Sequence, residues 1–388
     1  MGQPVAVVRG KTHGGTLFEM DPAGKLTTLY SFCTQTNCAD GELPYAGLLK
    51  ARNGNFYGTT GSGGISSNCP NPTGFGCGTV LEITPTGKLT TLYNFCSQTN
   101  CSDGSAPEAG LVQASNGNFY GTTNGGGIVG SDGSPGGTIF EITRAGKLTT
   151  LYRFCSQINS QGSCADGQAP NARLIQASNG NFYGTTVLGG ANSAGTIFEV
   201  TPAGKLITLH NFCSRRNSGG FCVDGELPYS GLVQGPNGNL YGTTSGGGST
   251  GYGSVFEITP TGKLTSLYSF CSQTNCADGD SPEAPLVRAS NGNFYGTTPL
   301  GGVSSSCTFS GIVIGCGTVF EITPAGKLTT LHSFCTQTGC ADGEYPYGGL
   351  VQAANGLLYG TTSAGGDLTC DRGNGCGSVF SLSVGLAP

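Results

Sequence analysis

The sequence predicts an all-β fold, a β-propeller of four-stranded antiparallel blades, and three observations carry this prediction. An eight-residue motif, NGNFYGTT, occurs six times in identical or nearly identical form. The copies begin at Asn53, Asn116, Asn179, Asn237, Asn291 and Asn355. They are 63, 63, 58, 54 and 64 residues apart, a period typical of repeat arrays. Between them lie short β-branched and aromatic runs bounded by Gly, Pro or Asn, which indicate strands.

Each unit contains four strand-like stretches, as the second unit illustrates. Its stretches are 109–114 (AGLVQA), 118–123 (NFYGTT), 137–143 (GTIFEIT) and 147–154 (KLTTLYRF). All four are rich in residues that favour strands. Short turns separate the first strand from the second and the third from the fourth, so we expect a meander in which consecutive strands are antiparallel neighbours.

The turn sequences predict how these strands pair. The stretch T-P-A-G-K fits a three-residue hairpin loop, with Pro at the first turn position and Gly as a left-handed bulge. This turn pairs Ile322 with Leu328 and Glu321 with Thr329. The Asn-Gly pair between the first and second strands predicts a two-residue hairpin loop.

A lone four-stranded meander cannot bury both of its faces, whereas meanders arranged radially can. The long connector between units, for example 271–284, suits a return from the outer edge of one blade to the inner edge of the next. We therefore predict one propeller domain over residues 1–388. Its units are 1–32 (partial), 33–95, 96–154, 155–212, 213–270, 271–334 and 335–388 (partial).

The blade count depends on the termini, because the GTVFEIT strand occurs seven times and the other three strands six times. We predict six blades, with residues 25–32 completing the C-terminal blade 349–382, so that the two termini share a sheet. The N-terminal strands within 5–20 are then surplus or pair with another chain. Seven blades, with incomplete first and last blades, are the alternative.

Composition excludes several classes of protein. The net charge is −5 and the pI is about 5.2, which disfavours a general nucleic-acid binder. There is no run of 18 apolar residues, so no membrane insertion is expected. The first fifteen residues are too short and too polar for a signal peptide. The plentiful Phe and Tyr argue against disorder.

The 18 cysteines fall into nine local couples. These are Cys33–Cys38, Cys69–Cys77, Cys96–Cys101, Cys155–Cys164, Cys213–Cys222, Cys271–Cys276, Cys307–Cys316, Cys335–Cys340 and Cys370–Cys376. Zinc sites are the competing interpretation, but they favour C-x2–4-C knuckles that meet further Cys or His, and the chain has three His. We predict disulfides, no metal and no cofactor, and hence an oxidising, extracellular location.

The units resemble the tandem GloVer repeat of bacterial extracellular, choice-of-anchor proteins. The matching elements are GG…GTVFEITPAG, L-[YH]-S-F, DG…P-Y-x-G-L and NG-x-[FL]-YGTT, and they cover nearly the whole chain. The resemblance implies a propeller-like protein that is secreted or on the cell surface, and it transfers no defined activity. The cysteine couples depart from the motif, and no anchor follows the final SVGLAP.

Two acidic positions repeat in every unit or nearly so. An Asp-Gly in each connector could form a carboxylate ring for Ca²⁺, but we interpret it as an Asx turn, since the residue two places later varies. The members are Asp40, Asp103, Asp166, Asp224, Asp278 and Asp342. A strand Glu could serve a paired-carboxylate hydrolase, but six equivalent sites favour a structural role across strands. These are Glu19, Glu82, Glu141, Glu199, Glu257 and Glu321.

No catalytic residue is predicted. His210 and His332 occupy a position that is Tyr in other units, so we interpret them as members of an aromatic position and not as bases. No phosphate-binding, dinucleotide-binding or HExxH motif is present. Loop residues that break the repeat are the predicted interaction surface. They are Arg215, Arg216, Tyr252, Phe309, Ile312, Asp371 and Arg372.

Three functions remain open at this point. The first is a non-enzymatic extracellular scaffold that self-assembles into oligomers or filaments through its terminal strands, since an unpaired strand edge can recruit another chain. The second is a propeller that binds cell-surface carbohydrate on the disulfide-rich loop face. The third is a polysaccharide hydrolase or lyase on the same face.

Overall fold

The repeated apolar and aromatic runs form the strands of a β-propeller with four-stranded antiparallel blades, as predicted. This computed structural model describes residues 5–8, 14–21, 24–66, 68–69, 76–131, 133–160, 162–367, 369 and 375–385. Six blades begin with the repeated first strand; we number them 1 to 6 in chain order. A separate N-terminal sheet precedes them.

The strands of the first three blades have the following bounds. Blade 1 comprises Leu49–Lys50, Phe56–Thr60, Thr79–Ile83 and Leu89–Asn94. Blade 2 comprises Val112–Gln113, Phe119–Thr123, Thr138–Ile142 and Leu148–Arg153. Blade 3 comprises Ile175–Gln176, Phe182–Thr186, Thr196–Val200 and Leu206–Asn211.

Blades 4 to 6 follow the same plan. Blade 4 comprises Val233–Gln234, Leu240–Thr244, Ser254–Ile258 and Leu264–Ser269. Blade 5 comprises Val287–Arg288, Phe294–Thr298, Thr318–Ile322 and Leu328–Ser333, with a small hairpin, Thr308–Phe309 and Ile312–Val313, in its loop. Blade 6 has three strands, Val351–Gln352, Leu358–Thr361 and Val379–Leu382, and a short parallel pair, Gly365–Gly366 and Gly375–Gly377.

The predicted sharing of one sheet by the two termini is wrong for the described residues. Leu26–Ser31 pairs with Thr16–Met20, which in turn pairs with Val5–Val8, so the N-terminal strands form their own three-stranded sheet. Leu26–Ser31 pairs with Thr16–Met20 and not with blade 6, because Thr16–Met20 has the sequence of a third strand and only a short turn separates it from Leu26–Ser31. The additional GTVFEIT-like strand, Thr16–Met20, therefore lies in this N-terminal sheet, in addition to the six blades that the sequence predicts.

Helical structure is confined to 3₁₀ turns in the part of the chain that the structure describes. They are Thr36–Cys38, Thr99–Cys101, Thr274–Cys276 and Thr338–Cys340. In the described part of the chain, no helix has the length and apolar character needed to cross a membrane. The chain divides into two compact units, Gln3–Thr208 and Leu209–Pro388, which we describe separately.

Aromatic rings fill the space between neighbouring blades within each unit. Tyr57 of blade 1 stacks on Phe119 of blade 2 with ring centroids 4.1 Å apart, and Tyr241 of blade 4 stacks on Phe294 of blade 5 at 4.3 Å. Such pairs contribute about 0.5–1.5 kcal/mol beyond their buried area. The Phe and Tyr of each FYGTT strand thus face opposite neighbours, because successive side chains alternate across a strand.

In blades 2 to 6 the glycine of the second strand makes room for a phenylalanine ring of its own blade, and in blade 1 Gly58 makes room for Leu48. A Cβ on Gly121 would lie 2.6 Å from Cζ of Phe140 and 2.9 Å from Cδ2 of Leu111. All five residues of this strand are buried. The glycine is therefore a packing requirement of the repeat.

The two short turns of a blade have the same geometry, which corrects one prediction. The predicted pairs Ile322–Leu328 and Glu321–Thr329 are observed. The Asn-Gly turn, however, is also a three-residue loop: Gly117 N–H donates to Ala114 and Ala114 N–H donates to the carbonyl of Asn118. Gly117 alone has a positive φ there, whereas a two-residue type I′ loop needs Asn116 to have one as well.

Candidate ligand-binding surface on the connectors and loops

Two segments meet at one end of every complete blade: the connector that leads into the blade and the loop between its second and third strands, here called the 2–3 loop. In blade 2, the N–H of Gly127 in the 2–3 loop donates to the carbonyl of Cys101 in the connector. The same bond joins Gly190 to Cys164 and Gly302 to Cys276. The cysteine couples and the variable loops therefore lie at the same end, as the meander predicts.

Eight of the nine cysteine couples are S–S bonds in the structure, and they match the predicted pairs. The ninth, Cys370–Cys376, involves Cys370, which lies outside the described residues. Sulfur atoms of Cys77, Cys96 and Cys101 lie within 4.8 Å of one another, as do those of Cys307, Cys316 and Cys335. Metals bind thiolates, and each of these sulfurs is in a disulfide, so none of them is a metal ligand in this oxidised state.

The connector aspartates hold the connector in shape. Asp103 is fully buried; its Oδ2 accepts hydrogen bonds from the Tyr93 hydroxyl at 2.8 Å and the Ser97 amide at 3.0 Å. Its Oδ1 accepts from the Gln98 amide at 3.2 Å, and Gly104 follows with a φ of +103°. This is the Asx-type turn that the sequence predicts, closed by a tyrosine from the fourth strand.

The aromatic partner of this aspartate is Tyr in four connectors and His in two. His210 Nε2 lies 3.0 Å from Asp224 Oδ2, and His332 Nε2 lies 3.1 Å from Asp342 Oδ2. Both rings also contact the following Phe edge-on, as Tyr93 does. Burial alone would raise the pKa of Asp224, but hydrogen bonds from His210 and Ser214 hold it below its usual value.

The strand glutamates bind the repeated motif itself. In blade 2, Glu141 Oε1 accepts from the Tyr120 hydroxyl at 2.8 Å and from the Asn118 and Asn116 amides at 2.7 and 3.3 Å. Burial, followed by the hydrogen bond to Glu141, raises the pKa of Tyr120 to about 12. The contacts from the tyrosine and the second asparagine recur around Glu82, Glu199 and Glu257. The interpretation that these acids contact hydroxyls on a neighbouring strand agrees with this geometry.

The structure brings together part of the predicted interaction surface in blade 4. Arg215 and Arg216 are exposed in the connector, and Arg216 donates to the Gly220 carbonyl at 2.7 Å. The adjoining 2–3 loop carries Tyr252, which is 46% exposed. The two loops are joined by a hydrogen bond from Asn217 Nδ2 to the Ser249 carbonyl at 3.0 Å.

The other predicted surface residues lie on separate loops. Phe309 and Ile312 face each other in the small hairpin of blade 5 and are 70% and 68% exposed. Asp371 and Arg372, in the 2–3 loop of blade 6, lie outside the described residues. The hypothesis that these residues form an interaction surface stays a prediction.

The sequence prediction missed a further set of residues. They lie near the end of each connector, shortly before the first strand of the blade. Each follows a proline in the pattern P-x-x-x-L and differs from blade to blade. They are Tyr45, Glu108, Asn171, Tyr229, Glu283 and Tyr347. The residue before each proline has a positive φ although it is not glycine, for example +55° at Leu43 and +51° at Ala106. Aligning the six copies at the proline would have revealed this variation.

In the first unit these connector ends converge across blades 1 to 3. A Cβ on Gly110 would lie 3.5 Å from the Gly47 carbonyl oxygen and 3.6 Å from Cδ of Arg173. A Cβ on Gly61 would lie 2.7 Å from the Tyr45 ring and 3.5 Å from Cγ of Glu108. Tyr45 and Glu108 therefore flank one position, Gly61, while the stem of Arg173 lies beside the connector ends of blades 1 and 2 at Gly110.

In the second unit the equivalent residues are electrostatically coupled. Burial raises the pKa of Glu283, and burial together with the charge of Glu283 raises the pKa of Tyr347. Tyr347 is nevertheless 50% exposed and Tyr229 is 37% exposed. Aromatic and carboxylate groups at these connector ends are thus within reach of solvent.

The blades, their repeated polar contacts and the disulfide-closed connectors define a tandem-repeat β-propeller. The model of the Gloeobacter/Verrucomicrobia repeat matches residues 5–164, 71–309 and 223–385. The chain therefore belongs to this repeat family, which confirms the resemblance found in the sequence.

Solved structures share the fold at low sequence identity. A Bacteroides uniformis protein described as a "putative 6-phosphogluconolactonase" is 14% identical with a TM-score of 0.54, covering 100% of this chain and 98% of its own. The periplasmic gluconolactonase of Pseudomonas aeruginosa is 13% identical with a TM-score of 0.52, covering 98% and 99%. At these identities the likeness shows the propeller fold alone. No curated protein matches the sequence.

Proposed function

We propose that this protein is a non-enzymatic extracellular scaffold that contacts its partners through the connectors and 2–3 loops. One observation carries the proposal: the acids that recur in the blades and connectors are engaged in hydrogen bonds with other residues of the repeat. Asp103 and Glu141 each accept at least three such bonds. Blade-to-blade differences are concentrated in the loops, where a rigid scaffold usually carries its binding residues.

The disulfides support an extracellular location. Eight short bridges close connectors and loops, and such bonds persist in oxidising compartments. Each is expected to stabilise the fold by roughly 2–3 kcal/mol in the loop-entropy model. Fractionation of producing cells tests this: we expect the protein outside the cytoplasm with its thiols blocked, and a reduced cytoplasmic protein would refute it.

Self-association through a terminal strand is the finer part of the proposal. Val379–Leu382 of blade 6 has no fourth strand beside it among the described residues, whereas the equivalent strand of blades 1 to 5 is paired on both sides. A bare strand edge recruits another strand. Light scattering after size exclusion and negative-stain microscopy should show oligomers or filaments that Ser381→Lys disperses and Thr329→Lys, on an outer strand of blade 5, leaves intact.

The absence of catalysis is tested directly. The purified, oxidised protein is incubated with aldonolactones and with neutral and acidic polysaccharides, and products are followed by NMR. We expect no conversion above the uncatalysed rate. Conversion that persists through purification and disappears with one loop substitution would replace the scaffold by an enzyme.

A further inference from the structure

We propose that the connector ends of blades 1 to 3 form a binding site for a carboxylate-bearing sugar, with Arg173 as its anion-binding residue. The site rests on the proposed non-enzymatic role, because it binds a saccharide without converting it. It is built from Tyr45, Glu108, Asn171 and Arg173, all within the first compact unit.

Arg173 breaks the repeat at a position where the chain otherwise carries no charge. The six residues that follow P-x-x and precede the leucine of the first strand are Gly47, Gly110, Arg173, Gly231, Pro285 and Gly349. Glycine or proline at this place leaves the connector ends without a long side chain, and a Cβ on Gly110 would be in ordinary contact with the Gly47 carbonyl oxygen at 3.5 Å. A single long cation in such surroundings is not explained by the blade architecture.

The guanidinium of Arg173 has no protein counter-ion among the described residues. The structure gives it neither a hydrogen bond nor an ion pair there, and its side chain is exposed to solvent. Even so, the surrounding protein lowers the pKa of this group by desolvation. Solvent reaches the guanidinium, while the stem of the side chain lies against the connector end of blade 2 at Gly110. Arginine stays charged in proteins and its planar fork binds carboxylates in a bidentate manner.

The neighbouring groups suit the rest of a sugar. Asn171, two residues before Arg173, has a buried side-chain oxygen without a hydrogen-bond partner in the described part of the chain. An unsatisfied acceptor of this kind costs about 1–3 kcal/mol. Because protein encloses this oxygen, a sugar hydroxyl can donate to it only after the Asn171 side chain turns towards the ligand. Tyr45 is 42% exposed and offers an aromatic face for a pyranose ring.

Glu108 narrows the class of ligand. Its Oε2 accepts from Asn124 Nδ2 at 3.1 Å, which fixes the carboxylate beside the Tyr45 ring. A fixed carboxylate accepts hydrogen bonds from sugar hydroxyls and repels a second dense negative charge. One carboxylate on a polyhydroxylated ring, a uronic acid, therefore fits the four side chains better than a phosphate or a polyanion does.

The test is a titration of the oxidised, full chain by calorimetry and saturation-transfer NMR. Glucuronate and galacturonate are compared with glucose, galactose and acetate, and oligouronides of defined length show whether a free sugar or a polymer end is bound. We expect saturable binding of the uronates that exceeds binding of the neutral sugars and acetate by about tenfold or more, since hydrogen bonds to charged groups contribute about 1.5–3 kcal/mol.

Variants connect that binding to Arg173. Arg173→Gly, which restores the residue found in four other blades, should weaken uronate binding at least about tenfold. Arg173→Lys should give an intermediate affinity, because the ammonium keeps the charge and loses the fork. Arg288→Gln is the matched control: it also removes one exposed arginine and restores the residue common at its strand position in the other blades.

Three results would overturn the site: no saturable uronate binding, equal binding of neutral and acidic sugars, or an affinity that Arg173→Gly leaves unchanged. Failure of the non-enzymatic role is a separate result. It would be seen as conversion of the bound saccharide in the NMR spectra, with Arg173-dependent binding retained.

Discussion

Blade 2 and blade 6 follow the same plan, yet only blade 2 carries the complete polar network. In blade 2, Glu141 collects the Tyr120 hydroxyl and two asparagine amides. In blade 6, the position of Glu141 is Ser381, and the position of Asn118 is Leu357. Tyr359 keeps only the bond from Asn355 at 3.1 Å among the contacts of this motif.

The difference shows that the glutamate and the second asparagine depend on each other. A carboxylate partly withdrawn from water requires hydrogen-bond donors, and an amide that has lost its acceptor is better replaced by an apolar residue. Both changes occur together in the blade whose strands are less buried: Leu358–Thr361 alternates between buried and half-buried residues, whereas Phe119–Thr123 is buried throughout. NGNFYGTT is thus one half of a hydrogen-bonded unit whose other half is a glutamate on the next strand.

The largest effect is expected from the glycine of the second strand. Gly121→Ala places a methyl group 2.6 Å from Phe140 Cζ, and Phe140 is fully buried, so the ring has no free direction in which to move. We expect a loss of about 3 kcal/mol in the free energy of unfolding, at the upper end of the cost of overpacking. Gly360→Ala in blade 6 is the matched change: it meets Phe380, which is half-buried and can shift outward. Equal losses in denaturant titrations would contradict this account.

The second largest loss of stability is expected when the carboxylate of Glu141 is removed. Glu141→Ala leaves the Tyr120 hydroxyl and the Asn118 amide without their acceptor, and we expect a loss of about 2 kcal/mol, the range for hydrogen bonds to charged groups. Ser381→Ala, at the same place in blade 6, should change the stability by less than about 0.5 kcal/mol, as is usual for exposed surface positions. Thermal or urea unfolding of both variants measures the difference. A Glu141→Ala protein as stable as Ser381→Ala would show that the hydrogen bonds around Glu141 do not stabilise the fold.

Much of the fold follows from the sequence because its signals are local. The T-P-A-G-K turn fixes the register of Glu321 with Thr329, since proline and a left-handed glycine leave one loop geometry. The Asn-Gly turn was misassigned because the dipeptide fits two loop types, and only the backbone of Asn116 distinguishes them. The pairing of the N-terminal strands was also wrong, because competition between two possible neighbours for Leu26–Ser31 depends on tertiary contacts.

The candidate functional residues were harder to predict, because their surroundings also depend on tertiary contacts. The acids that attract attention in the sequence, such as Asp103 and Glu141, are saturated by groups that are distant in the chain or hidden in turns. Arg173 was not recognised from the sequence, because a single arginine in a loop has no distinctive pattern. It becomes noticeable only when the repeats are aligned and most of the equivalent positions prove to be glycine. Arg215, Arg216 and Tyr252 were recognised because they break the repeat in the loops.

Acid should affect blade 4 before blade 6. Burial alone would raise the pKa of Glu257, but hydrogen bonds from Asn239 and Tyr241 hold it below its ordinary value. A carboxyl with a lowered pKa in the folded state stabilises the fold above its unfolded value, about 4.3 for Glu, and this contribution is lost as the pH falls through the folded pKa. Hydrogen exchange at pH 3 against pH 6, corrected for intrinsic rates, should show a greater loss of protection in Leu240–Thr244 than in Leu358–Thr361. A uniform loss over both strands would assign the acid sensitivity elsewhere.

The last prediction concerns a double variant that rebuilds the missing polar network in blade 6. Its expected effect on stability is the smallest, but it tests the comparison of blades 2 and 6 most directly. Ser381→Glu alone adds a carboxylate that meets the Tyr359 hydroxyl and the Asn355 amide but lacks the second asparagine, and Leu357→Asn alone adds an amide without its acceptor. Together they should recreate the arrangement around Glu141, because Tyr359 and Ser381 are direct cross-strand partners, as Tyr120 and Glu141 are. We expect a favourable coupling of about 1 kcal/mol in a double-mutant cycle, within the range for residues in contact. The higher exposure of blade 6 keeps the value modest, since water competes for the same bonds. An additive cycle would mean that the glutamate and the asparagine are kept together in blades 1 to 5 for a reason other than their contact.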